Sequence, residues 1–272
     1  MQKNSNREYL IPMITDIIEN YFLKLVASEV NIRKKRNIII GLGSGSTVAE
    51  LIKKISDLPN KENFKFIPTS IQIKIIGEMA GLEFTDESKI NDIDLVIDGA
   101  DQIDSNLNMI KGGGGALLKE KIIMYAAKEK IILADSYKFV TKFNIPIPIE
   151  IHPFARFTIM KKLQSITNIN QLFAAAAADS KLDNITYLNE EMNNISSSLK
   201  PIIRTVGKGF PFITENGNII LDTIFSNIVD IEKAEQAIKN IPGVVEVGLF
   251  SRKNNTKYYS VNSEGKFSVQ ST

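Results

Sequence analysis

Short apolar runs alternate with amphipathic segments through the first half of the chain, and this alternation constrains the fold more than any other feature. The runs end at Leu42, Pro68, Asp98 and Asp135, and they read NIIIGL, KFIP, IDLVID and KIILAD. The segments VAELIKKI, IQIKIIGEMA and ALLKEKIIMYAAK lie between them and have helical periodicity. Strands that alternate with helices predict a mostly parallel sheet covered on both faces. The predicted class is α/β, with a three-layer αβα domain.

A helix is also predicted over 14–30, where apolar residues recur at spacings of three and four. The helix IQIKIIGEMA is expected to stop at Gly81. The last residues, YYSVNSEGKFSV, predict a strand, a turn and a strand whose place in the fold the pattern does not give.

The pattern changes after residue 143, which indicates a second, smaller domain. Pro146, Pro148 and Pro153 interrupt NIPIPIEIHP, and because proline lacks a backbone N–H they argue against a regular central strand and mark a boundary. A helix near 155–163, a hairpin around the turn ENGN, the helix DIEKAEQAIKNI and the strand GVVEVGLF follow. We assign 1–143 and 252–272 to the αβα domain and 144–251 to an α+β domain. Within the latter, a low-complexity insertion near 165–200 is expected to be exposed and partly helical, chiefly over 171–199.

Composition excludes several classes of protein. The 33 basic and 31 acidic residues give a net charge of +2, so no nucleic-acid footprint or polybasic membrane anchor is expected. The chain has no cysteine, which excludes disulfides and thiolate catalysis. No run approaches the roughly 20 apolar residues that cross a bilayer, and the N-terminus lacks a secretory signal. We therefore expect a cytoplasmic protein without nucleic-acid or membrane partners.

Four loops follow predicted strands at the carboxyl end of a parallel sheet, where such sheets bind ligands. The first, GLGSGST, has neither the glycine spacing of a dinucleotide fingerprint nor the GK[ST] of a P-loop. Its hydroxyls Ser44, Ser46 and Thr47 stand at a predicted helix start, which suits a phosphate group. The spacing is equally compatible with an ordinary helix start at which a hydroxyl only caps the helix. The other loops are Pro68–Gln72, Asp98–Gly115 and Asp135–Lys138.

Carboxylates recur at spacings of three in the third loop. Asp98, Asp101 and Asp104 follow a strand, where they could bind sugar hydroxyls, move protons or simply cap turns. A metal site is disfavoured, since the chain has a single histidine and no EF-hand spacing. That histidine, His152, receives no catalytic role.

The most unusual segment is KGGGGALLKEK, residues 111–121. Four consecutive glycines weaken a strand or helix by roughly 0.5–1 kcal/mol per residue relative to alanine. Such a run suits a backbone that closely approaches a ligand, with Lys111 at its entrance and Glu120 one turn into the following helix. A flexible hinge without function is the alternative interpretation.

Together these loops resemble the ribose-5-phosphate isomerase A family along nearly the whole chain. KGGGGAL with a glutamate nine residues after its lysine is the specific part, whereas the glycine loop alone is a weak signal. Ser44 stands where many members have threonine, and Gln102 replaces a frequent glutamate. The insertion after Leu163 has no counterpart in compact members. The matching segments are Gly43–Thr47, Thr69 with Ser70, Asp98–Gln102, Lys111–Lys121, Asp135–Lys138, PIPIEIHPFA, ITENGNIILD and IPGVVEVGLF.

The resemblance implies interconversion of D-ribose 5-phosphate and D-ribulose 5-phosphate through a cis-enediolate, without metal or other cofactor, in a homodimer or homotetramer. It implies that Glu120 moves the proton, that Lys111 stabilises the oxyanion, and that Asp98 and Asp101 bind sugar hydroxyls and assist ring opening. The substrate-binding residues that it implies are Lys24, Ser44, Gly45, Ser46, Thr47, Thr69, Ser70, Gly113, Gly114 and Lys138.

Other functions fit the sequence less well. A sugar-phosphate sensor would need the phosphate loop but not the proton shuttle, and here Lys111 and Glu120 occur together. Acyl transfer and amino-sugar isomerisation are disfavoured by the lack of a convincing nucleophile and by the single histidine.

Overall fold

A computed structural model describes residues 37–58, 61–165, 201–225, 228, 230–262 and 267–272. The predicted helix over 14–30, the candidate Lys24 and the predicted insertion over 171–199 lie outside these residues. The chain divides into two compact units. Of the described residues, the first unit holds those up to Asp101, Lys119–Val140 and Arg252–Thr272, and the second holds Gln102–Leu118 and Thr141–Ser251.

The described part of the chain contains five α-helices, several short 3₁₀ segments and fifteen strands. The α-helices are α1 Ser46–Ile55, α2 Ile71–Met79, α3 Leu117–Ala126, α4 Arg156–Ser165 and α5 Ile231–Lys239. The 3₁₀ segments are Lys61–Asn63, Glu87–Asp92, Ser136–Lys138, Pro153–Ala155 and Gly207–Gly209. The strands are β1 Ile38–Leu42, β2 Phe64–Pro68, β3 Leu95–Gly99, β4 Gln102–Ile103, β5 Met109–Ile110, β6 Glu129–Asp135, β7 Ile147–Ile151, β8 Ile202–Ile203, β9 Thr205–Val206, β10 Phe210–Pro211, β11 Ile219–Thr223, β12 Val244–Val247, β13 Leu249–Phe250, β14 Thr256–Val261 and β15 Phe267–Ser271.

A six-stranded sheet forms the centre of the first unit, in the order β15-β14-β6-β3-β1-β2. The pairs that join β2, β1, β3, β6 and β14 are all parallel, and only β15 runs antiparallel to its neighbour. This confirms the predicted mostly parallel sheet. The predicted strand, turn and strand at the end of the chain supply β14 and β15, which extend the sheet beyond β6.

Helices cover both faces of this sheet. On one face, Ile38, Ile40 and Leu42 of β1 join a core with apolar residues of α1 and α2. On the opposite face, a Cβ added to Gly41 would lie 3.1 Å from the Ile123 side chain of α3. Burial of each such aliphatic side chain contributes roughly 1.5–3 kcal/mol. The result is the expected helix, sheet and helix layering.

Two helix ends show how local sequence sets the boundaries. Ser70 caps α2, since its hydroxyl accepts a hydrogen bond from the Ile73 N–H at 3.2 Å. The same helix stops before Gly81, whose φ of 73° favours glycine, as the sequence predicts.

The second unit is built on a four-stranded antiparallel sheet in the order β12-β7-β11-β8, with α4 and α5 contributing to its core. A three-stranded sheet, β13-β5-β4, and the pair β10-β9 accompany it. The predicted hairpin turn is present: the Thr214 N–H donates to the Asn218 carbonyl at 2.8 Å, and Gly217 has a φ of 77°. The mixture of helices and antiparallel strands is the expected α+β arrangement.

The prediction that prolines prevent a central strand at NIPIPIEIHP is wrong. Pro148 lies in β7, between β11 and β12, where it stands opposite Asp222. The pairing with β12 covers Ile149 to Ile151, so it begins after the proline. Pro148 still uses its carbonyl, which accepts from the Gly248 N–H at 2.7 Å. A proline at the start of a strand loses a donor that the neighbouring strand does not require there.

The structure also differs from the expected domain limits. The sequence assigns 102–118 and 141–143 to the first domain, whereas in the structure both cluster with the second unit, and 102–118 is the larger difference. The physical reason is strand pairing, because β4 pairs with β5 and β5 pairs with β13 in a small sheet of that unit.

Candidate active site

The glycine loop after β1 is pressed against the end of β3. The Gly43 N–H donates to the Ile97 carbonyl at 2.9 Å. A Cβ on Gly43 would lie 1.9 Å from the carboxyl carbon of Asp98, a separation that no real side chain tolerates. Gly43 is therefore required by the close approach of a buried carboxylate.

Helix α1 starts directly after this loop. Its N-cap is Gly45, which has a φ of 93° and no side chain to cap the helix, and the helical hydrogen bond from the Ala49 N–H ends on the Gly45 carbonyl at 3.0 Å. Helix geometry therefore leaves the N–H groups of Ser46, Thr47 and Val48 without intrahelical acceptors. Together with the helix dipole and the hydroxyls of Ser46 and Thr47, they form an arrangement suited to phosphate.

Glu120 is one of the buried acids of the first unit. Only 3% of the residue is exposed, and it lies in the first turn of α3. The hydroxyl of Ser44 donates to its Oε1 at 2.5 Å. A buried carboxylate held beside a candidate phosphate loop is a candidate for general acid–base chemistry.

Asp98 lies at the end of β3 and is fully buried. Its Oδ1 accepts a hydrogen bond from the Gly99 N–H at 2.7 Å. Asp101, three residues on, is half-buried at a bend. The two carboxylates therefore mark the strand-end position where parallel sheets bind ligands.

Asp104 has a different role, which sequence spacing alone leaves open. Its Oδ1 accepts from the N–H groups of Asn106 and Asn108, and its Oδ2 accepts from the Asn108 amide. It caps a turn in the second unit. For this third carboxylate, the alternative that it simply caps a turn is therefore correct.

Thr69 and Ser70 follow β2 and are used differently. Thr69 is fully buried and donates its N–H to the Leu42 carbonyl at 3.1 Å. Its hydroxyl has no hydrogen-bond partner within the described ranges. The Ser70 hydroxyl is engaged as the cap of α2, which makes Thr69 the better placed of the two to receive a ligand oxygen.

The loop after β6 holds Lys138 and a residue that sequence reasoning left without a role. The half-buried Lys138 donates its Nζ to the Ala100 carbonyl at 2.7 Å. Asp135 ends β6 with 7% exposure, and its Oδ1 has no hydrogen-bond partner in the described part of the chain. Its position at the end of a predicted strand is the sequence signal that could have identified Asp135 as a further candidate site residue.

The candidates Lys111, Gly113 and Gly114 belong to the second unit. Lys111 is 3% exposed, and its N–H donates to the Gly248 carbonyl at 3.0 Å. Its Nζ lies 5.7 Å from the centre of the Phe250 ring, a cation–π contact. Gly113 and Gly114 are exposed. The structure thus places a buried ammonium at the entrance of the four-glycine segment.

His152 has the structural role expected of a lone histidine. Its Nδ1 accepts the Phe154 N–H at 3.3 Å and so caps a 3₁₀ turn. Across the described ranges, no group of three or more His, Asp or Glu residues could hold a metal ion. No helix in the same ranges is long and apolar enough to cross a membrane.

The first unit thus defines a class of protein: a parallel α/β sheet with a phosphate-type helix start beside a buried carboxylate. Comparison with known proteins gives the family. The family model "Ribose 5-phosphate isomerase A (phosphoriboisomerase A)" matches residues 65–181 and 183–265. The chain belongs to this family.

Individual relatives support this assignment. The chain is 37% identical over 238 residues to a ribose-5-phosphate isomerase from Dictyostelium discoideum, covering 85% of this chain and 89% of that protein. The solved isomerase of Plasmodium falciparum is similar with a TM-score of 0.71 at 30% identity, covering 92% of this chain and 97% of that one. A D-ribose-5-phosphate isomerase in complex with phospho-erythronic acid is similar with a TM-score of 0.71 at 31% identity, with the same coverage.

Proposed function

We propose that this chain is a ribose-5-phosphate isomerase, which interconverts D-ribose 5-phosphate and D-ribulose 5-phosphate in the non-oxidative pentose phosphate pathway. Its membership of the isomerase family supports the reaction. The single observation that carries the proposal is the hydrogen bond from Ser44 to the buried carboxylate of Glu120. It joins a loop suited to phosphate with a group suited to proton transfer.

Glu120 is the proposed base. An ionised carboxylate removes the proton from C2 of the open-chain aldose, the electrons move to the C1 oxygen, and a cis-enediolate forms. The proton of the C2 hydroxyl moves to the C1 oxygen, and the carboxyl group returns the first proton to C1, so the substrate becomes the ketose and the protein is unchanged. A base that shuttles one proton in this way must lie within hydrogen-bond reach of both carbons.

Lys111 is the proposed charge stabiliser, as the family resemblance implies. A buried ammonium favours the negative charge that develops on the enediolate oxygen, and exclusion of water strengthens the interaction. Asp98 and Asp101 are proposed to bind sugar hydroxyls and to assist opening of the furanose ring. The full burial of Asp98 at the end of a strand supports such a fixed position.

The start of α1 is the proposed phosphate site, with Ser46 and Thr47 as hydroxyl donors. Lys138 is a cationic partner, and Thr69 offers a buried hydroxyl from the neighbouring strand end. By resemblance, the remaining substrate contacts are Lys24, Ser44, Gly45, Ser70, Gly113 and Gly114.

The proposed chemistry requires no metal, nucleotide or other cofactor, because the proton and both electrons stay within substrate and carboxylate. We further propose a homodimer or homotetramer in the cytoplasm. Light scattering of the purified protein tests the oligomeric state, and a single monomeric mass contradicts it.

Exchange with solvent tests the mechanism. Ribose 5-phosphate is incubated with the protein in D₂O, and the ketose is followed by proton NMR. Deuterium at C1 of ribulose 5-phosphate is expected, since a carboxylate exchanges its proton with solvent during the enediolate lifetime. Ketose formation without deuterium at C1 contradicts exchange of the shuttled proton with solvent, whereas deuterium at C1 rejects transfer of the C2 hydrogen as hydride.

A further inference from the structure

Arg204 donates hydrogen bonds to two carbonyl groups of the four-glycine segment. It lies between β8 and β9, and its Nη1 donates to the carbonyl oxygens of Gly112 at 2.7 Å and Gly113 at 3.0 Å. The arginine is more than ninety residues away in sequence, so this contact is a product of the fold. One guanidinium nitrogen thus fixes two successive peptide groups of a segment with very little conformational preference.

Asp222 holds the guanidinium in turn. Its Oδ2 accepts from Nε at 2.8 Å and its Oδ1 accepts from Nη2 at 2.5 Å, which is a bidentate pair. The side chains are 16% and 26% exposed, so the pair is only partly screened by water. The Arg204 main chain is anchored as well, because its N–H donates to the Ile220 carbonyl at 2.8 Å. Lysine cannot reproduce this arrangement, because a single ammonium lacks the planar fork.

Phe212 holds the other end of the segment. A Cβ added to Gly115, whose φ is 83°, would lie 2.5 Å from the Phe212 ring. The guanidinium carbon of Arg204 lies 6.0 Å from the centre of the same ring. The Phe212 N–H donates to the Arg204 carbonyl at 2.8 Å. Arg204, Asp222 and Phe212 therefore form one clamp around Gly112–Gly115.

The clamp fixes the direction of two amides. In a trans peptide the N–H points away from the C=O of the same group, and the described chain contains no cis peptide. When the carbonyls of Gly112 and Gly113 are drawn to Nη1, the N–H groups of Gly113 and Gly114 are turned to the side opposite the guanidinium. Successive N–H groups held in this manner favour negatively charged oxygens.

We propose that Arg204, held by Asp222, is a positioning residue that fixes the Gly112–Gly114 peptides in the geometry needed for isomerisation. The inference rests on the proposed function, in which Gly113 and Gly114 contact the substrate. Arg204 itself touches neither substrate nor reacting atoms. It acts by removing conformational freedom from the glycines before the substrate arrives.

The test compares Arg204→Lys, Arg204→Met and Asp222→Asn with wild type. We expect kcat to fall by about 10- to 100-fold in both arginine variants, because a misplacement of the order of 1 Å has an effect of that size. We expect KM to change by less than about threefold, since the phosphate is assigned to α1. Asp222→Asn keeps one acceptor and should give an intermediate loss of kcat.

Arg156→Met is the matched control. Arg156 lies in the same unit, donates its Nη1 to a backbone carbonyl, that of Pro153, at 3.2 Å, and stacks 4.3 Å from the centre of the Phe157 ring. Its loss removes an equivalent guanidinium contact far from the glycine segment in sequence. We expect wild-type kinetics for this variant.

Amide hydrogen exchange of the substrate-free protein separates positioning from activity. Peptides that contain Gly112–Gly115 should exchange faster in Arg204→Lys than in wild type, and Arg156→Met should exchange as wild type does. Unchanged exchange and unchanged kcat overturn the proposal, even if the melting temperature falls. If Arg204→Lys exchanges faster than wild type but the wild type itself does not isomerise ribose 5-phosphate, the proposed function is rejected and the structural role of the clamp stands.

Discussion

The hydroxyl of Ser44 lies 2.5 Å from Oε1 of Glu120, which joins the glycine loop after β1 to the first turn of α3. The two residues are 76 positions apart in sequence, and the fold around the parallel sheet brings them together. A loop suited to phosphate therefore also orients the proposed base. We therefore expect substrate binding and proton transfer to be coupled through this one side-chain contact.

Replacement of Ser44 tests this coupling. Ser44→Ala removes the donor to the carboxylate, and kcat should fall by about tenfold as the base loses its orientation. Ser44→Thr keeps the hydroxyl and should retain most of the turnover. Steady-state kinetics of the two variants test this expectation. Equal kcat values for Ser44→Ala and Ser44→Thr would show that the hydrogen bond to Glu120 has no role in turnover.

Gly43 should not tolerate a side chain. In Gly43→Ala the new Cβ would lie 1.9 Å from the Asp98 carboxyl carbon, so the strand end or the loop must move. We expect a loss of about 1–3 kcal/mol in stability from overpacking, together with severe loss of activity. Gly207→Ala is the control, since nothing lies within 4 Å of its added Cβ. Thermal melts and turnover are measured side by side, and a Gly43→Ala protein that matches Gly207→Ala contradicts the prediction.

The proposed phosphate contacts should affect affinity more than turnover. Thr47→Val and Lys138→Met remove a hydroxyl and a cation, and each should raise KM for ribose 5-phosphate by about tenfold with a smaller effect on kcat. Lys74→Met changes an exposed lysine of α2 and serves as the control. An unchanged KM excludes the residue concerned from the phosphate site.

The cap of α5 predicts a pH effect on stability. The Asp230 carboxylate accepts the Lys233 N–H at 3.0 Å, and this hydrogen bond holds its pKa below the ordinary 3.8. A lowered folded-state pKa means that the contribution is complete above about pH 3.8 and is lost as pH falls through the folded value. Asp230→Ala should therefore cost about 0.5–2 kcal/mol at pH 7 and progressively less in acid.

Denaturant melts of wild type and Asp230→Ala across this pH range measure the effect. Asp230→Asn is the control, because it keeps an acceptor and has no charge to titrate. A stability difference between wild type and alanine that stays constant down to pH 2 contradicts the assignment.

Local pattern predicts much of this fold. Buried parallel strands are continuous apolar runs, so β1, β3 and β6 are evident in the sequence. Backbone preference also places the end of α2 at Gly81 and the ENGN turn before β11. The prediction at Pro148 was wrong because a proline's effect depends on which neighbouring strand needs its N–H, and pairing with β12 starts one residue later.

The candidate site likewise contains residues that the sequence reveals and residues that only the fold brings together. Glycines, strand-end acids and the lysine of KGGGG stand out in the sequence because their spacing is unusual. Arg204 does not stand out, since its partners Gly112 and Gly113 are more than ninety positions away and only the fold brings them together. Asp135 ends a predicted strand, but its unpaired buried oxygen depends on the surrounding packing.

The most direct test of the central claim is turnover of ribose 5-phosphate by the purified protein in EDTA, with Glu120→Gln assayed beside it. The glutamine keeps the size of the side chain but cannot accept the C2 proton, so kcat should fall by about 10²–10⁴-fold while ribose 5-phosphate still binds. Wild-type formation of ribulose 5-phosphate and its loss in the variant establish the reaction and the base. Near-normal turnover in Glu120→Gln contradicts the role of Glu120, and a wild type that binds ribose 5-phosphate without converting it contradicts the isomerase and indicates a sensor.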